Sequence, residues 1–372
     1  MSTSVANYVH GGSSSAEADQ NFVYPVDVTL KNLATVCKLG ANPGPMSTGS
    51  FTFDLKANGV ATGLSTVCDT STWVASDTTH TSALVTAGQF VTLRSTAASS
   101  PFPNTQLFAS WQTFAADGVT PLVMVEGGGV VSSLPSNGQF CDLMRGSCNA
   151  STATAASRVV AVGFVVDKFA VTMGSGPTGA STETYCLRNV TTGVDIVCAP
   201  AIASPNRVAT SPACSSNCSV NPGDEITMRV NVSGSGHAAT RHFAIHVTGA
   251  STQILYSGTS ATGLAAAGPI GLDFTSSPQL AIGPVATAVR LRNLYSVADS
   301  AVTKTLRMAA SSNCDNPDNG GTRPTCAMAG ATTCSDSTSD FTLSGIGCMR
   351  VEQPVGGTGN VRLRGGIELQ LP

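Results

Sequence analysis

Charge is scarce in this chain. Only 11% of its 372 residues are Asp, Glu, Lys or Arg, and the formal net charge is -3. The Lys and Arg residues are scattered, so there is no basic footprint for nucleic acid. Aromatic residues make up 5%, with tryptophan only at Trp73 and Trp111, which leaves few platforms for stacking on sugars. No run approaches the ~18 consecutive apolar residues of a membrane helix. Neither a sustained 3.6-residue period nor a heptad pattern is present, which argues against long helices and coiled coils. The opening "MSTSVANYVHGG" has neither the basic start nor the apolar core of a secretory signal. It fits synthesis in a cytoplasm, or a signal already removed.

Gly, Ser, Thr, Ala and Val dominate instead. β-branched residues suit pleated strands, and Gly, Pro, Asn and Asp supply turn geometries. The length exceeds what one core usually holds and suggests two or three domains.

Internal repetition sets the organisation. "VTLKNLATV" at 28–36 returns as "VRLRNLYSV" at 289–297, with Leu30, Asn32, Leu33 and Val36 answered by Leu291, Asn293, Leu294 and Val297. The middle version is "FVVDKFAVTM", where Phe169 stands for Leu33 and Leu294. A second phrase recurs around Leu55, Leu187 and Leu306, and a glycine-led strand starts from Gly88, Gly223 and, more loosely, Gly345. Each copy closes on a strand: "LFASWQTF", "RHFAIHVTG" and "VRLRGGIELQL". Boundaries follow near 117 and 250, giving units 1–117, 118–250 and 251–372.

Within a unit the strands alternate. Phe51, Phe53 and Leu55 interleave with Thr52, Asp54 and Lys56, as strands do that bury one face and wet the other. The expected fold class is therefore all-β, as three tandem antiparallel β-sandwiches of jelly-roll type, with an immunoglobulin-like sandwich as the second choice. Val28 and Leu30 fall out of phase with Leu33, and Val289 and Leu291 with Leu294. A bulge near Asn32 and Asn293 would return the apolar side to the core. Burial of both strand faces at an interface is the alternative.

The twelve cysteines are Cys37, Cys68, Cys141, Cys148, Cys186, Cys198, Cys214, Cys218, Cys314, Cys326, Cys334 and Cys348. An even, generous count points to oxidised pairs and work outside the cell. Spacing suggests Cys141 with Cys148, and Cys186 with Cys198. Cys314 with Cys326 would be the matching staple in the third unit. Cys37 with Cys68, Cys214 with Cys218, and Cys334 with Cys348 complete the set. Connectivity is not determined by sequence, and bridges between chains are equally allowed.

No catalytic, cofactor or metal residue is nominated. "CSSNC" lacks the second Cys or His pair of a zinc site. His242 and His246 share a strand face and read as solvated or interface residues, while His10, His80 and His237 stand alone. In "CDNPDNGG", Asp315, Asp318 and Asn319 lack the spacing of a calcium loop. The Gly-rich stretches "EGGGVV" and "GSGPTG" read as turns and lack the phosphate-cradling pattern.

The order of "VTLKNL", "GSFTFDLKANG", "STVCDT", "SDTTHTSALVTAG" and "QFVTLR" resembles the β-sandwich repeats of structural proteins from tailed bacteriophages, which are similar to trimeric tumour-necrosis-factor-like jelly rolls. The likeness covers the first unit well and the second, at "NPGDEITMRVNVSGSG", in part; at "SGIGCMRVEQP" it is loose. It implies a virion structural protein without enzymatic activity, made in the host cytoplasm and displayed on the particle surface as a capsid decoration or head-fibre protein. The partners it implies are other capsid or tail proteins and copies of the chain itself in a homo-oligomer such as a trimer, with no nucleic acid and no membrane. Three similar units within one chain also allow a single-chain pseudo-threefold arrangement. The competing function is a tail-fibre adhesin whose loops 131–150 and 311–335 would meet host glycan or protein.

Overall fold

The computed structural model describes residues 21–39, 49–98, 105–130, 135–143, 148, 150–237, 240–249, 252–258, 268–270, 282–311, 322–343, 347–353 and 363–370. Their regular structure is nearly all strand, and every ladder between them is antiparallel. The first segment holds β1 (Phe22–Val23), β2 (Thr29–Leu39), β3 (Ser50–Ala57), β4 (Val60–Asp69), β5 (Val74–Thr81), β6 (Phe90–Ala97) and β7 (Thr105–Phe114). They make two sheets, ordered β1-β6-β3-β4 and β5-β2-β7. The chain weaves between the two sheets in the order of a jelly roll.

The second segment contains β8 (Val123–Val130), β9 (Gln139–Cys141), the one-turn helix α1 (Ala153–Ala156), β10 (Arg158–Val159), β11 (Phe164–Met173), β12 (Thr182–Asn189) and β13 (Val194–Cys198). It continues with β14 (Ile202–Ala203), β15 (Val208–Thr210), β16 (Ser219–Val220), β17 (Glu225–Ser233) and β18 (Thr240–Thr248). One sheet runs β10-β17-β12-β13 and the other β15-β11-β18-β8, with β9, β14 and β16 attached.

The third segment has β19 (Thr252–Gly258), β20 (Gly268–Ile270), β21 (Ile282–Val285), β22 (Val289–Ser311), β23 (Thr325–Leu343), β24 (Gly347–Gln353) and β25 (Leu363–Gln370), all in one sheet. Here the 23-residue β22 does the work of two strands: its first part pairs with β25, its second with β24. Residues from both parts, Leu291 and Leu294 with Leu306 and Met308, share one core cluster, so the sheet curls over on itself.

Buried apolar side chains gather into three clusters. One is built around Leu30, Leu33, Phe53 and Trp111, one around Phe169, Tyr185, Leu187 and Phe243, and one around Leu291, Leu294, Leu306 and Ile367. The phase slip anticipated in the repeated phrase is a bulge in both copies. Pairing slips between Lys31 and Leu33 and between Arg292 and Leu294. Asn32 and Asn293 take φ 54° and 53°, a left-handed conformation that asparagine tolerates better than most residues. The second segment slips between Val166 and Lys168, leaving Asp167 as its extra residue.

A carboxylate braces the strand opposite each asparagine bulge. Leu33 faces Asp77 and Leu294 faces Asp336. Asp77 accepts from the amides of Ser65 (3.1 Å), Thr79 (3.2 Å) and His80 (3.1 Å). Asp336 accepts from those of Thr325 (2.8 Å), Thr338 (3.0 Å) and Ser339 (2.9 Å). "SDTTH" and "SDSTS" thus fold alike, and in the first segment the bond ties β5 to β4 of the facing sheet. Burial pushes the Asp336 carboxyl up, but the amides of Thr325, Ser339 and Thr338 outweigh it and bring it from 3.8 to about 2. Asp77 is also lowered: burial opposes, while the Ser65 amide, the His80 ring and the His80 and Thr79 amides prevail.

Both carboxyls are depressed in the folded state, so their stabilisation is complete above the unfolded-state value near 4 and is lost as pH falls through the folded value, which for Asp336 is about 2. Urea unfolding from pH 6 to pH 2 should show the native chain losing on the order of 2 kcal/mol in that window from Asp336 alone. D336N should be less stable by about 1–2 kcal/mol at pH 6 and flatter below pH 4. Parallel curves for the two proteins would contradict this role.

Candidate functional site

Four cysteine bridges lie where spacing placed them: Cys37–Cys68, Cys141–Cys148, Cys186–Cys198 and Cys214–Cys218. The expected third-segment pairs are corrected. Cys326 is bonded to Cys334, which excludes both Cys314–Cys326 and Cys334–Cys348. The analogy with Cys186 and Cys198, neighbours across a hairpin, fails because Cys326 and Cys334 lie on the same long strand. β23 slips twice against β22 between Val297 and Thr303, bringing two of its own residues together. Cys348 sits in β24 opposite Ser311, and Cys314 lies outside the described residues.

Cys186, Asp195 and Cys198 offer ligand atoms within metal-binding reach of one another. Their thiols are consumed by the bridge, and Asp195 is held by Arg188 at 2.9 Å and by Arg229. "CSSNC" is likewise a disulfide loop. Asp315, Asp318, Asn319 and His10 lie outside the described residues, as does much of the loops 131–150 and 311–335.

The densest group of chemically capable side chains is in the second segment. Glu183 is fully buried, with Arg241 Nη2 at 3.2 Å and the Tyr185 hydroxyl donating to it. Arg241 Nε donates to Tyr185 Oη at 2.5 Å. His237 Nδ1 stands 3.2 Å from Glu183, outside hydrogen-bond alignment. Burial raises the Tyr185 phenol well above its ordinary value. The cluster ties β12 of one sheet to β18 of the other. The sequence carried a signal for it: Glu183 falls in phase with Tyr185 and Leu187, and Arg241 with Phe243 and Ile245, all on the core side.

Other buried polar groups lie where segments meet. At the first of three seams, β1 packs on β11 and β18. The Phe22 ring lies 4.7 Å from that of His242 and meets Trp111 edge-on at 6.4 Å, and Trp111 Nε1 donates to Tyr24 Oη at 2.9 Å. Ala244 of the second segment belongs to the first segment's core cluster. Arg207 stacks 4.9 Å above Phe90.

At the second seam, β10 packs on β19, β22 and β25. Arg364 donates to Ser157 Oγ at 2.6 Å, to Glu225, and to Asp299 at 2.6 Å. Ser157 in turn donates to Glu225 at 2.5 Å. Tyr295 fills the space over Gly223, where a Cβ would come within 2.9 Å of its hydroxyl. At the third seam, β21 packs on β2 and β7, and Gln112 Nε2 donates to Thr287 Oγ1 at 3.0 Å.

The bulges supply the partner residues on these faces. Asn32 donates to Gln112 Oε1 at 2.5 Å, Asp167 meets His246 Nδ1 at 2.9 Å, and Asn293 donates to Glu368. In each case an extra residue on one strand latches the last strand of its segment. His242 is an interface residue, as expected. His246 is mostly buried beside Asp167.

Cyanogen bromide cuts after Met308, Met328 and Met349. Fragments 309–328 and 329–349 should stay joined until reduced, because Cys326 and Cys334 bridge them; their release as separate unreduced fragments would overturn that pairing. R364A leaves the mostly buried Glu225 without its cation and should cost about 3 kcal/mol in urea unfolding, with part regained in R364M/E225Q. A loss under about 1 kcal/mol would reduce the cluster to an ordinary surface pair.

No family model matches the chain, and no curated protein matches it.

Proposed function

We propose that this chain is a non-enzymatic structural protein of a virion surface, a decoration or cement protein on the head of a tailed phage. The observation that supports the reading is the use made of interior polarity. Glu183 with Arg241 ties sheet to sheet, Asp142 with Arg158 ties a loop to β10, and Glu225 with Arg364 ties segment to segment. Bridges occur in all three segments: Cys37–Cys68 joins facing sheets in the first, Cys141–Cys148 closes a loop in the second and Cys326–Cys334 clips an irregularity of β23 in the third. Such cross-ties favour one rigid arrangement over its alternatives, which suits a building block exposed to dilution and oxidising conditions.

The outer strands fit contact with a shell. Along β23 the exposed positions are mostly threonine, serine, alanine and glycine, without a lysine or arginine. A neutral, hydrogen-bonding surface with short side chains loses little conformational entropy when covered. The adhesin reading receives less support, because Trp111 is buried at a seam and Trp73 is half-buried beside the Cys37–Cys68 bridge.

The test is labelling on purified particles. Antibody or gold tag should decorate the head shell, and added protein should co-sediment with heads that lack it and slow their disruption by heat. Label confined to the tail tip would replace this reading with the adhesin; absence from particles would remove both.

A further inference from the structure

We infer that the three seams are one seam used three times, and that the chain closes on itself as a pseudo-threefold ring. In the first segment the short strand that docks, β1, pairs with the glycine-led strand β6. In the second, β10 pairs with β17 in the same way, and in the third β21 pairs with β24. Each docks on the next segment's repeated opening strand and closing strand: β1 on β11 and β18, β10 on β22 and β25, β21 on β2 and β7. The last contact returns from the third segment to the first. Two seams would make a row, and the third makes a closed cycle.

The receiving residues correspond as well. In register, Thr172 faces His242 and Val297 faces Arg364, so His242 under Phe22 and Arg364 under Ser157 occupy matching places on closing strands. Ala170 facing Ala244, Tyr295 facing Gly366 and Ala34 facing Ser110 form the matching next row. The chemistry differs at each seam: aromatic on imidazole, then an ion cluster, then amide to hydroxyl. Distinct chemistry at equivalent geometry makes each docking strand fit one receiver and fit the others poorly, which holds the segments in order and disfavours open-ended association between chains.

One chain thereby performs the closure that a homotrimer would achieve with three, and the protein is a monomer in solution. The same strand arrangement recurs three times around the ring, so the partner it fits is itself threefold. Simultaneous contact through all three surfaces gives avidity without a strong single contact. Resting on the function proposed above, this places one chain, not three, at each threefold position of a shell.

The test uses the full chain. Sedimentation equilibrium should give 37.6 kDa at all concentrations, and X-ray scattering a radius of gyration of about 21 Å, against about 30 Å or more for three bodies in a row. p-Benzoylphenylalanine at position 287 should, on illumination, cross-link to β2 or β7 of the same chain, without a product of higher mass. A trimeric mass, an extended radius, or cross-links that form only between chains would overturn the ring. If the substituted chain fails to fold, mass and scattering of the native chain still decide. Particle stoichiometry is read separately: three chains per threefold position would sink the partner assignment. Absence from particles with the ring intact would sink the virion reading alone.

Discussion

Strands β2 and β7 in the first segment and β11 and β18 in the second are buried on both faces, and the rest of the molecule is arranged around that constraint. A two-layer sandwich ordinarily leaves its outer faces wet. Here Ala34, Val36, Ser110 and Gln112 on the outer side of β2 and β7 are buried, as are Ala170, Thr172, His242 and Ala244 on β11 and β18. The residues are small or able to hydrogen-bond, which lets another backbone approach closely while leaving buried polar groups with partners. Burying the second face adds apolar area to the core at about 25 cal/mol per Å², an advantage for sandwiches with few aromatic residues to fill them.

The bulges make this double burial possible. A strictly alternating strand would keep Val28 and Leu30 on the core side and turn Leu33 away from it. One extra residue at Asn32, Asp167 or Asn293 restores the phase, and its side chain latches the closing strand. The brace opposite, Asp77 or Asp336, holds the outer strand where the bulge bends it. The expected bulge and the alternative of two-sided burial turn out to be parts of a single device.

Charge is rare and placed with effect. Arg158, Arg241 and Arg364 are buried, each against a carboxylate, and the Arg241 and Arg364 pairs join elements distant in sequence. Buried pairs give little net stability over apolar replacements, but a missing partner is costly. Glu225 with Arg364 favours one packing of two segments, while the other two pairs fix a sheet-to-sheet contact and a loop within the second. Glu183 and Arg241 were visible in the strand phase as polar residues on the apolar side, yet their partnership was not, because β12 and β18 belong to different sheets.

The sequence by itself determined the strand-rich character, the repeated phrases and the phase slips at Asn32 and Asn293, since each depends on alternation along the chain, and its spacing suggested four of the cysteine pairs that form. Tertiary structure alone decided the Cys326–Cys334 bridge, which needs a double slip of β23 that no spacing rule anticipates. It also decided the ion cluster at Arg364 and the return of β21 to β2 and β7. Contacts between residues a hundred or more positions apart depend on how finished sheets pack, and the alternation that builds a sheet does not say what will cover its second face.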